Sequence, residues 1–383
     1  MTVTDAADLA KRRAGLDAAM AGRGAWPQRS PWIRDAVNAL PRDRFAPDRL
    51  WRWDGHGYQP VDRQVDGAAW AHELYAGPDD AAVTQVTGGL ATSSLSSTGI
   101  VVDMLDSLLL EPGHRVLELG TGAGWNAALA AHRAGPGRVT SIEIDPVLAA
   151  AAQARLEQAR LPVRVEVGDG AAGWPAAGRF DRVIATYAVE RVPWAWIEGC
   201  APGGRVVTPW GRLGYVALDV AADGSHAVGW MQGLAQFMPA RDNSRPEAAF
   251  RDVRGRGPAE HESTFERDLS PLRADWDLLF SLRVAVADLR ITTAVDQDGT
   301  SAWLHDGNAS WAALSASPTG GARVHGGGPR RLADELTAAW ATWEDDGRPG
   351  VYDYGMTVTP DHQYVWLNDP VTGPRRGLPT ART

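Results

Sequence analysis

The residues whose types and spacing could do chemistry are acids, glycines and hydroxyls gathered at predicted turns. Glu118, Gly120, Gly122 and Gly124 alternate through Val116-Leu117-Glu118-Leu119-Gly120-Thr121-Gly122-Ala123-Gly124-Trp125-Asn126. An apolar run that ends in an acid and a glycine-spaced turn, then opens into alanine-rich Ala127 to Ala134, predicts a strand feeding a helix. The loop between them is one whose backbone approaches a ligand closely. Its spacing is not the G-x-G-x-x-G that seats a pyrophosphate on a helix N-terminus, and no Lys-Ser/Thr follows, which excludes a P-loop. Glu143, nineteen residues beyond Gly124, closes the strand-like run Val139 to Ile144. A carboxylate there can accept hydrogen bonds from both hydroxyls of a ribose. Asp145 competes for that role, although Asp145-Pro146 also reads as the cap and first position of the next helix. Asp169 sits in Gly168-Asp169-Gly170 after a third run, Val163 to Val167, where a simple Asp-Gly turn would also account for it. Upstream, Gly88 to Thr98 is a loop with six hydroxyls that enters an apolar helix, Gly99 to Leu110. One hydroxyl suffices for a helix cap; the rest can orient a carboxylate without protonating it.

The E-x-G-x-G-x-G pattern resembles motif I of the class I S-adenosylmethionine (SAM) methyltransferases, whose glycine turn accommodates the amino-acid portion of the cofactor. Leu40-Pro41-Arg42-Asp43-Arg44-Phe45-Ala46-Pro47 reads as a helix stop with a packed Phe45. It also resembles the PR-x-x-F-x-P segment of the protein-L-isoaspartate O-methyltransferase family. Gly168-Asp169-Gly170 resembles that family's G-D-G turn, and Pro202 to Pro209 its L-x-x-G-G-r-l-v-x-P-x-G element. The likeness spans roughly residues 30–235. It implies that SAM, leaving as S-adenosyl-L-homocysteine, is held by Glu118, Gly120, Thr121, Gly122, Gly124, Asn126, Glu143, Asp169 and Gly170, with Asp169 on the adenine amino group. It also implies that Ser94 and Ser96, which fall on the T-I-S of the family's Q-T-I-S-Q-P loop, position the acceptor carboxylate. Ser93, Ser97 and Thr98 depart from that loop. The altered loop and the long C-terminal extension resemble homologues that accompany ribosomal peptide pathways of the graspetide and lanthipeptide types. The implied reaction is esterification of an aspartyl side chain in a cyclised precursor peptide, leading to a succinimide. General repair of isoaspartyl residues in proteins is the alternative, and a non-catalytic SAM-binding scaffold a third reading.

These residues need a framework, and the alternation of strand and helix after residue 115 predicts a doubly wound α/β fold. The expected architecture is Rossmann-like, with a seven-stranded mixed sheet, N-terminal helices and a smaller α+β C-terminal domain. Asp5 to Gly22 reads as an amphipathic helix carrying Leu9, Leu16 and Met20 on one side, and a second begins at Pro31 with Ile33, Val37 and Leu40 inward. Residues 51–87 suggest no element. Strands four and five are expected at Phe180 to Thr186 and Pro202 to Pro209, and the last two at Tyr215 to Val220 and Ala227 to Met231. The chain divides by this reading into an N-terminal substrate-side segment (1–87), a cofactor-binding core (88–238), a linker (239–260) and a peptide-recognising accessory domain (261–383). The last is read as strands at Leu282 to Val286, Leu289 to Ala294 and Ser301 to Leu304, a helix at Arg330 to Glu344, and a hairpin of Met356 to Thr359 with Tyr364 to Leu367. Trp51, Trp53 and Trp70 are candidates for a peptide-binding wall.

Composition bounds the rest. A net charge of −9 over 383 residues argues against a nucleic-acid binder. The cationic residues are arginines apart from Lys11, which reads as coding bias. A single cysteine, Cys200, allows no intramolecular disulfide, and no apolar leader or membrane span is evident, so a soluble cytoplasmic protein is expected. His261, His305, His325 and His362 are too scattered for a zinc site, and no metal is expected.

Overall fold

The computed structural model describes residues 6–211, 213–241, 248–286, 288–317 and 321–377. Its residues fall into two compact units. One runs through Pro209 and adds Ala217–Ala227 and Phe237–Ala240; the other comprises Trp210–Val216, Val228–Gln236 and the residues from Arg241 on.

The first unit opens with helices α1 (Ala6–Gly22) and α2 (Trp32–Ala39). Leu9, Leu16 and Met20 are buried along α1 as their spacing predicts, whereas Ala36 takes the fully buried place on α2 and Val37 is only half-buried. Residues 51–87, left without an element by their composition, form much of a four-stranded antiparallel sheet. Strands β1 (Arg49–Trp53) and β2 (Tyr58–Asp62), helix α3 (Gly67–Leu74) and strands β3 (Ala82–Thr87) and β4 (Leu90–Leu95) follow in turn, with sheet order β2-β1-β3-β4. Strands β3 and β4 are joined by Gly88-Gly89, both at positive φ, as a two-residue hairpin turn requires. The hydroxyl-rich segment is therefore largely a strand, not a loop. Trp70 is fully buried, donating its indole N–H to the Pro47 carbonyl at 3.0 Å, and cannot line a peptide wall. Trp53 is exposed and meets Tyr58 edge-on at 5.1 Å.

After helix α4 (Thr98–Ser107), five parallel strands form the framework of the site: β5 (Val116–Leu119), β6 (Val139–Glu143), β7 (Arg164–Val167), β8 (Phe180–Ala185) and β9 (Cys200–Trp210). Their order is β9-β8-β5-β6-β7. Strand β5 is buried at all four positions because it lies between β6 and β8 and is covered on both faces. Helix α5 (Trp125–Ala134) buries Ala127, Ala128, Ala130 and Ala131, small side chains that allow close packing. Helix α6 (Pro146–Gln158) starts as predicted, with Asp145 accepting the Val147 and Leu148 N–H groups and Pro146 at the first position. The short helix α7 (Trp194–Glu198) precedes β9. Cys200, at the start of β9, is buried, and burial pushes its thiol up to about 12.

In the second unit a five-stranded antiparallel sheet is built from His261–Phe265, Ala322–Gly327, Trp311–Ala316, Gly299–His305 and Arg290–Asp296, in that order. Leu282 to Val286, read as a strand, belongs instead to the helix Trp276–Ala285. Asp275 caps that helix through the Leu278 N–H, and Leu278, Leu279 and Leu282 fall on its buried side. The helix Leu332–Asp345 buries Leu332, Leu336, Ala339 and Trp340, as their spacing predicts. The terminal hairpin pairs Tyr354–Val358 with Gln363–Leu367. Part of the expected linker, 242–247, lies outside the described residues, and Phe250–Arg254 within it is a short helix. Among the described residues no helix is long and apolar enough to cross a membrane, and no group of three or more His, Cys, Asp or Glu residues could hold a metal ion.

Candidate active site

The chain runs from β5 outward through β6 to β7, then crosses back to β8 and β9 on the other side of β5. The crevice at the carboxyl ends of β5 and β8 is thus the topological switch point, where open α/β sheets bind ligands. Gly120 stands there at φ 94°, and a Cβ on it would come within 2.5 Å of the Thr186 hydroxyl and 2.9 Å of the Tyr187 ring. Gly122 and Gly124 also have positive φ, 52° and 88°. Gly124 lets α6 approach, since a Cβ on it would lie 3.3 Å from that of Ala152. The turn is held from below: the Thr186 hydroxyl donates to the Gly120 carbonyl at 2.5 Å, and Thr121 and Ser141 share a hydroxyl hydrogen bond of 2.6 Å.

Glu118 is fully buried, its carboxylate engaged by Asn126 Nδ2 at 2.8 Å and by the Ser141 hydroxyl. Glu118, Thr121 and Asn126, all expected to contact the cofactor, are thereby joined in a network that ties β5, β6 and α5 together beneath the turn. Burial pushes the Glu118 carboxyl up to about 7; the Ser141 and Asn126 hydrogen bonds oppose this in part, and the Glu143 charge reinforces it. The folded chain therefore keeps a proton that the unfolded chain, near the ordinary 4.5, has already released. Stability is full below about 4.5 and falls as pH rises through 7, by roughly 3 kcal/mol at most. Glu118→Gln is expected to flatten this decline in melting temperature between pH 5 and 8. Equal slopes in the two proteins would show that Glu118 is not the group titrating.

Glu143 ends β6. Its two oxygens accept the N–H groups of Gly122 at 2.8 Å and Asp145 at 3.1 Å, and lone pairs remain on both. Asp145 is committed to capping α6 and also accepts from Gln85 Nε2 at 3.0 Å. Asp169 lies two residues beyond β7 and is exposed; Oδ1 accepts the Ala171 N–H at 2.9 Å, and Oδ2 has no partner among the described residues. Gly170 is buried because the Tyr187 hydroxyl would lie 2.5 Å from any Cβ there. Its carbonyl accepts the Trp196 indole N–H at 2.7 Å. Tyr187, which sequence reading did not single out, is brought among these groups. Burial raises its phenol well above the ordinary value, and the Asp169 and Glu143 charges add to that. Its only signal in the sequence was its position two residues beyond β8.

The serine strand lies against the same turn. A Cβ on Gly122 would be 3.6 Å from the Ser93 hydroxyl and 3.8 Å from the Ser94 carbonyl oxygen. Bulges between Val83, Gln85 and Val86 on β3 interrupt the pairing opposite Ser93 and Ser94, re-aiming the strand at that point. Ser97 precedes α4, yet no hydroxyl caps that helix. A second residue passed over in the sequence, Arg42, supports this segment. It is buried and donates from Nη2 to the Leu95 and Ser96 carbonyls, at 3.1 and 3.0 Å.

A glycine turn at the switch point, with acceptor carboxylates at and just beyond adjoining strand ends, suits a nucleoside that bears a ribose diol and an amino acid. This is the cofactor crevice of the class I SAM-dependent methyltransferase fold, and the protein is an enzyme of that class. The family model described as protein-L-isoaspartate(D-aspartate) O-methyltransferase matches residues 27–243. Protein-L-isoaspartate O-methyltransferase 1 of Anaeromyxobacter sp. (strain Fw109-5) is 40% identical over 185 residues, 48% of this chain and 74% of that one. The corresponding protein of Methylorubrum populi is 42% identical over 147 residues, 38% of this chain and 68% of that one. A solved structure of a protein-L-isoaspartate O-methyltransferase shares the fold with a TM-score of 0.53 at 19% identity, covering 93% of this chain and 100% of that one. The chain belongs to the protein-L-isoaspartate(D-aspartate) O-methyltransferase family, and is a SAM-dependent carboxyl O-methyltransferase.

Proposed function

We propose that the enzyme esterifies the free carboxylate of an isoaspartyl residue in a protein or peptide. The observation that supports this is the packing of the serine strand on the glycine turn, where the Ser93 hydroxyl and the Ser94 carbonyl oxygen lie nearest to Gly122. The bound cofactor supplies an electrophilic methyl group on a sulfonium. A carboxylate is already an anion at neutral pH, so the protein need not remove a proton. Ser94 and Ser96 orient the acceptor oxygen, and Glu143 and Asp169 hold the nucleoside. The acceptor oxygen gains the methyl as the carbon–sulfur bond breaks, giving a methyl ester and S-adenosyl-L-homocysteine.

A second reading has one feature in its favour. Ser93, Ser97 and Thr98 depart from the family's Q-T-I-S-Q-P loop, and Ser93 is turned toward Thr84, at 3.1 Å. On that reading the acceptor is an aspartate of a cyclised ribosomal precursor peptide, and a neighbouring amide then displaces methanol to give a succinimide. The C-terminal extension does not decide for it, because the likeness to the solved family structure runs over 93% of the chain.

Mass spectrometry after incubation with SAM and an isoaspartyl peptide, its aspartyl isomer, or linear and cyclised precursors separates the readings. Methylation of generic isoaspartyl peptides is the expected result. Exclusive turnover of a cyclised precursor, ending one water lighter than the substrate, would replace it with the second reading. Ser96→Ala is expected to slow methyl transfer about 5- to 100-fold while SAM affinity holds; unchanged turnover would remove Ser96 from the acceptor site.

A further inference from the structure

Tyr187 reaches across the cofactor crevice with a hydroxyl that no described residue engages. It stands two residues beyond β8 and is half-buried. Its ring passes over Gly120, where Cδ1 and Cε1 lie 2.9 and 3.5 Å from the place a Cβ would take. Its hydroxyl ends over Gly170, 2.5 Å from the Cβ position there. The side chain therefore runs from the glycine turn after β5 to the Gly168-Asp169-Gly170 turn after β7. Trp196 meets the ring edge-on at 6.1 Å, and its indole N–H is itself fixed on the Gly170 carbonyl at 2.7 Å. A phenylalanine would serve that packing equally well; tyrosine adds only the hydroxyl. A largely buried tyrosine hydroxyl ordinarily finds a hydrogen-bond partner, and this one has none among the described residues.

The surroundings say what kind of partner it lacks. Burial raises the phenol well above its ordinary value, and the charges of Asp169 and Glu143 add to that, so the hydroxyl keeps its proton at neutral pH and can donate. Both acids accept backbone N–H groups, Glu143 from Gly122 and Asp145 and Asp169 from Ala171, and neither takes the phenol. A donor is thus set beside acceptor carboxylates in one crevice. Adenine carries the complementary pattern: its amino group donates, and the ring nitrogens on either side of that group accept.

We propose that Tyr187 is a nucleoside-binding residue that helps to select adenine: its hydroxyl donates to a ring nitrogen beside the amino group that Asp169 accepts. The proposal rests on the reading of Asp169 and Glu143 as the acids that hold the nucleoside. It is indifferent to which carboxylate the enzyme methylates.

Calorimetric titration of the full chain and of Tyr187→Phe with S-adenosyl-L-homocysteine tests the proposal without any methyl transfer. The variant is expected to bind about 3- to 10-fold more weakly, the loss of one hydrogen bond. The melting temperature of the ligand-free protein should stay where it is, because no hydrogen bond within the protein is lost. Adenosine, 1-deazaadenosine and 7-deazaadenosine then identify the acceptor. The analogue that lacks the accepting nitrogen should bind the unaltered protein more weakly than adenosine does, and should bind Tyr187→Phe as well as adenosine does. Deaza penalties of equal size in the two proteins would overturn the assignment. So would unchanged affinity in Tyr187→Phe: beside weakened binding by Asp169→Ala it removes Tyr187 alone, and beside unchanged binding by Asp169→Ala it removes the nucleoside site as well.

Discussion

Gly120→Ala is expected to cost roughly 2–5 kcal/mol and to lower the melting temperature by about 5–15 °C. Two penalties add at this position. The backbone φ of 94° is strained for any residue with a Cβ, and the added methyl would meet the Thr186 hydroxyl at 2.5 Å and the Tyr187 ring at 2.9 Å. Thr186 cannot swing away freely, because it donates to the Gly120 carbonyl. Gly113→Ala separates the two penalties. Gly113 has a similar φ of 86° but nothing within 4 Å of its Cβ position, so only conformational strain remains, about 1 kcal/mol. Differential scanning calorimetry of both variants measures the difference. Should Gly120→Ala melt no lower than Gly113→Ala, the close packing of β8 on the turn would not be what demands glycine.

The second large effect is expected in cofactor binding. Glu143→Ala and Asp169→Ala should each weaken SAM about 10- to 100-fold, the loss of a polar contact worth roughly 1–3 kcal/mol. The two should differ in kind. Glu143 also accepts the Gly122 and Asp145 N–H groups, so its removal frees two backbone donors and loosens the turn even before ligand is added. Asp169 stands at the surface and accepts one N–H, that of Ala171, so its loss should lower the melting temperature of the cofactor-free protein less than the loss of Glu143 does. Asp169→Asn keeps a single acceptor oxygen, which the Ala171 N–H claims, and puts an NH2 donor where the amine would bind, so it should not restore the affinity. Isothermal titration with SAM reads these changes directly. Unchanged affinity in both alanine variants would remove the two acids from the cofactor site.

The parallel core was legible because its signals are local. A buried strand, a glycine turn and an alanine-rich helix follow within twenty residues at Val116 to Ala134, and Asp145-Pro146 marks a helix start by cap chemistry alone. The serine strand was not, because the three hydroxyl residues before Leu95 hid the strand alternation that the Gly88-Gly89 turn signals. Arg42 and Tyr187 were passed over because their roles depend on partners 53 and more residues away, or on strand crossings, which spacing cannot reveal. Leu282 to Val286 was misread because the window began inside the helix and omitted its cap, Asp275. In Glu118 the position was legible and the surroundings were not. Two hydrogen bonds and complete burial make Glu118 a brace beneath the glycine turn.

Cys200 carries a practical consequence. It is 1% exposed, its thiol is pushed up to about 12, and Gly204 packs so closely that a Cβ there would lie 2.6 Å from Sγ. A maleimide or an aromatic disulfide reagent therefore finds neither access nor thiolate in the folded protein. Modification must wait for β9 to leave the sheet, so the rate of covalent labelling becomes a clock for opening of the nucleoside-binding unit. With no second thiol in the chain to confuse the signal, that clock can be read on the purified protein from a single labelling event, with or without bound cofactor.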